Sequence, residues 1–389
     1  MSFVRSTPLP FSRPSINQED IDGVVDVLKS GWITTGPRCA AFEAAFREYL
    51  GAEHACALTS ATAGMHLVLS ALGIGPGDEV VTPSMTWSST VNLITLLGAR
   101  PVFADIDRRT LMVTPESVEN VLTPRVRAII PVHFAGAPID LTAFRKLAAD
   151  RGVALVEDAA HALGTECRGE RIGRRGTAIF SFHPIKNITT GEGGMVVSDD
   201  RELIEKVKLL KFHGLARDAW QRYARMGALQ DEVALPGFKY NLTDIQASLG
   251  ITQLKRLNEL NRRRAFLAGL YDRRLAGIEG FDPLRPPSYP HLHSHHLYVV
   301  LLKLERLRLS RDEFLVELKK RNIGTGIHFR AVHTQYYYRE CAGFGPGLLP
   351  ETEWVSERIF SLPLYPDMTE GDVEDVAQAL ADTLAAARK

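Results

Sequence analysis

The chain has 389 residues, 45% hydrophobic and 24% charged, which is enough to bury a sizeable core in two or three domains. Lysine plus arginine balances aspartate plus glutamate at 46 each, so no basic surplus is left to neutralise phosphates and no nucleic-acid partner is expected. No apolar run is long enough to cross a bilayer, Met1 to Pro14 lacks the charged-then-apolar pattern of a signal peptide, and Cys39, Cys56, Cys167 and Cys341 form no CxxC pair, so the expectation is a cytoplasmic protein with reduced thiols, no membrane partner and no structural zinc.

In chain order, Gln18–Lys29 carries helical spacing at Ile21, Val24, Val25 and Leu28, and Gly31 stops it. Small and hydroxylic residues at Thr59 to Thr62 open a second amphipathic helix, Ala63–Leu72. From Glu79 to Ser198, short apolar runs alternate with longer amphipathic stretches. The runs are Glu79–Thr82, Pro101–Asp105, Ala128–Val132, Val153–Asp158, Ala178–Phe182 and Met195–Ser198. Continuous runs of this length suit strands buried on both faces, so the fold class is α/β with a mostly parallel central sheet and helices on both faces. Leu141–Asp150 is one covering helix, stopped by Gly152. Asp244–Leu270 reads as one long helix that bridges to a smaller C-terminal α+β domain, with a strand at His296–Leu302 and helices at Arg311–Arg321 and Asp372–Ala387. The boundary is placed near residue 250: a large domain with an N-terminal arm over 1–250 and a small one over 251–389.

Three pieces carry chemistry. In Ser181-Phe-His-Pro-Ile-Lys186 a lysine follows a strand and leads into the glycine-rich Gly191-Glu-Gly-Gly194. A desolvated lysine can bond to a carbonyl cofactor, and glycines let backbone approach a planar ligand. The plain alternative is a solvated lysine beside a loop. Asp158 ends the strand Val153–Asp158, at the sheet edge where α/β folds bind ligands, and could pair with a protonated pyridine nitrogen or merely cap the next helix. His161, three residues on, could stack on or hydrogen-bond the same ring, or simply fill space. The hydroxylic helix start at Thr59 to Thr62 and Ala63 could expose N–H groups to an anion such as a phosphate or merely cap the helix, and Ser181 is a second candidate phosphate ligand. His291, His293, His295 and His296 cluster but lack companion ligands at familiar spacing, so no metal is assigned.

Taken in order as phosphate cup, strand-end aspartate and lysine, these pieces resemble the fold-type I pyridoxal-phosphate enzymes, and more narrowly the DegT/DnrJ/EryC1/StrS family of sugar-nucleotide aminotransferases. The matching stretches include Ser30-Gly-Trp-Ile-Thr-Thr-Gly-Pro37, Ser60-Ala-Thr-Ala-Gly-Met-His66, Gly176 to His183, Tyr240-Asn-Leu-Thr-Asp244 and Gly324-Thr-Gly-Ile-His-Phe-Arg330. Within the family they are most similar to the branch that makes UDP-4-amino-4-deoxy-L-arabinose, which reduces negative charge on lipid A. The resemblance implies pyridoxal 5'-phosphate as cofactor, L-glutamate and 2-oxoglutarate as the amino-donor pair, and a nucleotide-linked keto-sugar as acceptor. It implies that Lys186 holds the cofactor and carries protons, and that Asp158 pairs with the pyridine nitrogen. Thr62, Ala63 and Ser181 would hold the phosphate, and Trp87 would lie against the ring, although a buried core tryptophan is the plain reading. Asn241 would reach the phosphate of the neighbouring subunit in a homodimer with shared sites. Trp32, Thr34, His328 and Arg330 would contact the nucleotide-sugar, the last two alternating on a strand. Another nucleotide keto-sugar, dTDP- or UDP-4-keto-6-deoxyhexose, stays open as the acceptor. A dehydrase branch carries histidine where Lys186 stands, so Lys186 argues for transamination.

Overall fold

The computed structural model describes residues 3–215 and 232–389. Its centre is a seven-stranded sheet in the order β1-β9-β8-β5-β4-β2-β3. Six strands fall on the expected apolar runs: β2 (Glu79–Pro83), β3 (Arg100–Ala104), β4 (Val126–Ile129), β5 (Ala154–Asp158), β8 (Thr177–Ser181) and β9 (Gly194–Ser198). The seventh, β1 (His54–Leu58), was not anticipated. Its residues, His-Ala-Cys-Ala-Leu, have no β-branched member, and the segment is a strand because it pairs along its whole length with β9.

Strands β8, β5, β4, β2 and β3 run parallel. β9 opposes β8 and also opposes β1, so β1 points the same way as the parallel set. Side chains alternate between two cores. Ala178, Phe180, Met195 and Val197 join the core under the helices Pro37–Leu50, Leu141–Arg151 and Asp244–Leu275. Ile179 and Val196 join the opposite one, under Ala61–Ala71, Ser88–Leu96 and Arg201–Leu210. Both faces are thus covered, which is what apolar runs without alternation require.

The expected stop at Gly152 is a left-handed cap, φ 64°, on the helix Leu141–Arg151. Thr243 and Gln246 form a reciprocal capping box at the start of the 32-residue helix Asp244–Leu275. That helix serves two cores. Ala247, Leu254, Leu257 and Leu260 pack beneath the main sheet, while Leu267, Leu270, Tyr271 and Leu275 pack against a second, antiparallel sheet. The second sheet is built from β10 (Phe281–Pro283), β12 (Tyr298–Leu302) and β13 (Ile359–Leu362). It is covered by Arg311–Lys320 and Glu370–Ala387. A small third sheet joins β6 (Glu166–Cys167) and β7 (Glu170–Arg171) to β11 (His291–Leu292).

The segment around His328 and Arg330 is not a strand. Only Gly326 pairs with the sheet, through Ser361. Past it the chain turns inward, and the Phe329 N–H goes to Met85 Sδ rather than to a neighbouring strand.

Candidate active site

Strands that run one way end at one edge, and their following turns collect there. A cavity of about 440 Å³ opens at this edge. After β1 comes Ser60, the N-cap of the helix Ala61–Ala71, and after β2 comes Trp87, the N-cap residue of Ser88–Leu96. Asp158 and Ser181 are the last residues of β5 and β8. Lys186 lies in the turn after β8, where its backbone N–H donates to His183 O at 2.8 Å. Thr62, Trp87, Asp158, His161, Ser181, Lys186 and His328 all line this cavity.

The carboxylate of Asp158 is set by its surroundings. Oδ1 accepts the Ala160 N–H at 3.1 Å and Oδ2 accepts the Thr90 hydroxyl at 3.4 Å. Burial pushes its pKa up, opposed by the Ala160 N–H, the Lys186 and His133 charges and the Thr90 hydroxyl. No helix follows it, so the capping alternative does not apply. Lys186 Nζ has no hydrogen bond or ion pair among the described residues. Burial lowers its pKa from the usual 10.5 to about 8, against the pull of Asp158. Desolvation thus raises the unprotonated share of this amine at pH 7 to about a tenth, far above that of an ordinary lysine, and the unprotonated form is the one a nucleophile or base needs. His161 and His328 are also held neutral, His161 well below the usual range and His328 at about 4, mainly by burial with Lys186 adding to it.

Other expected residues lie elsewhere. The side chain of Ala63 is buried outside the cavity lining, and its N–H is taken by Ser60 Oγ at 3.0 Å. The helix-start N–H groups left without a partner among the described residues are those of Ala61 and Thr62. Arg330 is exposed, away from the cavity, and pairs with Asp312 at 3.1 Å. It turns outward because no strand forms to keep it in register with His328. Trp87 is 62% exposed and lines the cavity, so it is not a core tryptophan. Trp32, Thr34 and Asn241 gather around Thr35, outside the lining of this chain's cavity. Trp32 Nε1 donates to Thr35 O at 3.1 Å, Asn241 Nδ2 donates to Thr35 Oγ1 at 2.6 Å, and Thr34 O accepts the Asp244 N–H. The glycines after Lys186 serve packing rather than a ligand at one point: a Cβ on Gly194 would overlap the Ser60 and Ala61 backbone, so only glycine lets β9 start against the helix turn. Among the described residues, no three His, Cys, Asp or Glu side chains are grouped to hold a metal ion.

Comparison with known proteins matches residues 14–381 to the model of the DegT/DnrJ/EryC1/StrS aminotransferase family. The chain belongs to that family. Among solved relatives of this aminotransferase, Spr1654 from Streptococcus pneumoniae in its PLP form is 31% identical with a TM-score of 0.90, over 97% of this chain and 99% of that one. PseC from Helicobacter pylori, an aminotransferase of pseudoaminic acid biosynthesis, is 30% identical with a TM-score of 0.90, over 98% and 100%. DesI, solved in the presence of its TDP-sugar product, is 30% identical with a TM-score of 0.86, over 97% and 93%. The protein is a pyridoxal-phosphate-dependent sugar aminotransferase of fold type I.

The residues present fit that cofactor. An amine without a partner, a strand-end carboxylate, a helix start with unused N–H groups, and the buried, unpartnered Nδ1 of His161 border one space. Sequence reasoning missed Thr90. Thr90 lies one helical turn beyond Trp87, the spacing at which a hydroxyl could have been expected to share Trp87's face. Ser60 was visible as a cap signal, because the hydroxyl three residues before Ala63 competes for that N–H.

Proposed function

We propose that this aminotransferase moves the amino group of L-glutamate to the 4-keto carbon of a nucleotide-linked sugar, with a UDP-4-keto-pentose as the first acceptor to test. The product would then be UDP-4-amino-4-deoxy-L-arabinose, made in the cytoplasm for lipid A modification. The observation that carries the transfer chemistry is the buried amine of Lys186, without a partner among the described residues and in one cavity with Asp158. A second reading, a nucleotide-linked 4-keto-6-deoxyhexose, is favoured by the likeness to DesI with its TDP-sugar product.

Pyridoxal phosphate, when bound, supplies an aldehyde carbon that accepts the amino group and a ring that takes up electrons as a carbon–hydrogen bond breaks. The chain does the rest. Lys186 Nζ would hold the cofactor at rest and, once free, would take the proton from the donor's α-carbon and hand it on. In the return half it gives a proton to the sugar carbon that receives nitrogen. Asp158 would hold a proton on the ring nitrogen, and Ser181 with the Ala61 and Thr62 N–H groups would receive the phosphate. Trp87 and His161 offer flat walls to the ring.

Trp32, Thr34 and Asn241 would complete the cavity of a second copy. What supports this is their grouping around Thr35 outside their own cavity, with Ile21, Leu28 and Ile33 exposed close by in the chain. The testing experiment is an absorbance spectrum of the purified protein. The cofactor band should bleach with L-glutamate and return with the keto-sugar nucleotide, and running the return across UDP- and dTDP-linked sugars chooses the acceptor. A protein that takes up no cofactor, or whose Lys186→Ala variant bleaches as fast as the wild type, would overturn the assignment.

A further inference from the structure

Ser361 is the third residue of β13, a strand buried at every position. Its backbone is already satisfied, the N–H donating to Gly326 O at 2.8 Å and the carbonyl accepting the Gly326 N–H at 3.1 Å. Its hydroxyl, fully buried, has one side-chain neighbour within hydrogen-bond distance: His328 Nδ1 at 2.9 Å. A serine hydroxyl carries one proton, and a buried proton without an acceptor is costly. Among the described residues Nδ1 is its only acceptor. The proton therefore goes to Nδ1, and the ring's own N–H must sit on Nε2. Nε2 has no partner among the described residues, on a ring that lines the cavity.

Neighbouring groups hold that ring in place. Phe11 stacks on it, with centroids 5.2 Å apart and planes at 29°, and Phe329 meets it edge-on at 5.3 Å. A Cβ on Gly326 would come 2.6 Å from His328 Cε1, so glycine is needed there for the ring to seat. Among the described residues no carboxylate pairs with His328, and burial, with the Lys186 charge adding to it, disfavours a second ring proton. We infer that Ser361 is a positioning residue whose hydroxyl sets His328 as a neutral Nε2–H donor to an uncharged oxygen, hydroxyl or carbonyl, of the sugar substrate. A carboxylate of the amino donor would instead draw a cationic partner. This assignment rests on the sugar-acceptor reading above.

Two measurements test it. In protein labelled with 15N-histidine, with His328→Gln locating the signals, His328 at pH 7 should carry its proton on Nε2 alone. In Ser361→Ala the two tautomers should mix. A wild-type His328 protonated on Nδ1, or on both nitrogens, overturns the assignment whatever the substrate is. In single turnovers, Ser361→Ala should slow the return step with the keto-sugar about tenfold while changing the glutamate step by less than about twofold, the scale of one lost hydrogen bond. Ser361→Thr should restore it. Equal loss in both steps would mean a structural role and sink the proposal. If the wild type answers no nucleotide keto-sugar, the acceptor reading has failed, and the tautomer measurement alone decides on Ser361.

Discussion

At Lys186 the chain keeps an amine where folding alone would prefer none. Below pH 8 both the folded and the unfolded lysine carry a proton, so the folded state bears the full desolvation penalty. Between about 8 and 10.5 the folded lysine loses its proton first, and the penalty fades as pH rises. A shift of this size is worth about 3 kcal/mol, and the partial exposure of Lys186 screens it to about 1–2 kcal/mol. Lys186→Met should therefore stabilise the cofactor-free protein by about 1–2 kcal/mol at pH 7, with the gain vanishing above pH 10.5, as read from urea unfolding at a series of pH values. The same depressed pKa sets cofactor uptake. Covalent attachment of pyridoxal phosphate needs the unprotonated amine, so its rate should rise with a midpoint near pH 8. A midpoint near 10.5 would show that burial does not act on this lysine.

Among the elements, the helix Asp244–Leu275 is the one that joins the two cores. Its first half lies against the helix Pro37–Leu50, and Gly250 meets Phe42 there. A Cβ there would sit 2.6 Å from Phe42 Cζ, and Phe42 is fully buried against Phe46 and Phe182. Phe182 directly follows β8, the strand that ends at Ser181. Gly250→Ala should gain helix propensity yet lose about 1–3 kcal/mol to overpacking, and the denaturation midpoint should fall. A rise would mean the two helices can move apart freely. Along this helix the packing passes from the main core to the second one between Leu260 and Leu267. Periodicity reports that one side of a helix is apolar and is silent about which of two bodies covers it.

For the whole molecule, the decisive question is whether one chain makes a complete site. If Trp32, Thr34 and Asn241 serve a second copy, then Lys186→Met and Asn241→Ala chains, each inactive alone, should complement when mixed. A mixed dimer holds one site with both lesions and one with neither, so random pairing should recover about a quarter of wild-type activity. No recovery, in a mixture shown to exchange subunits, would place Asn241 at its own chain's site.

Much was legible without coordinates. Six apolar strands, the cap at Gly152, and the order of Thr62, Asp158 and Lys186 follow from residue type and spacing, because a strand buried on both faces and a helix stop each need particular side chains. Tertiary structure decided the rest. It made a strand of His54–Leu58 by pairing it to β9, and gave the Ala63 N–H to Ser60. It sent Arg330 outward while keeping His328 in the cavity, and set Trp32, Thr34 and Asn241 together outside its lining. Strand pairing, competition for one N–H and the direction of a side chain in irregular backbone all depend on which partner arrives from far along the chain, and local residue pattern carries no record of that partner.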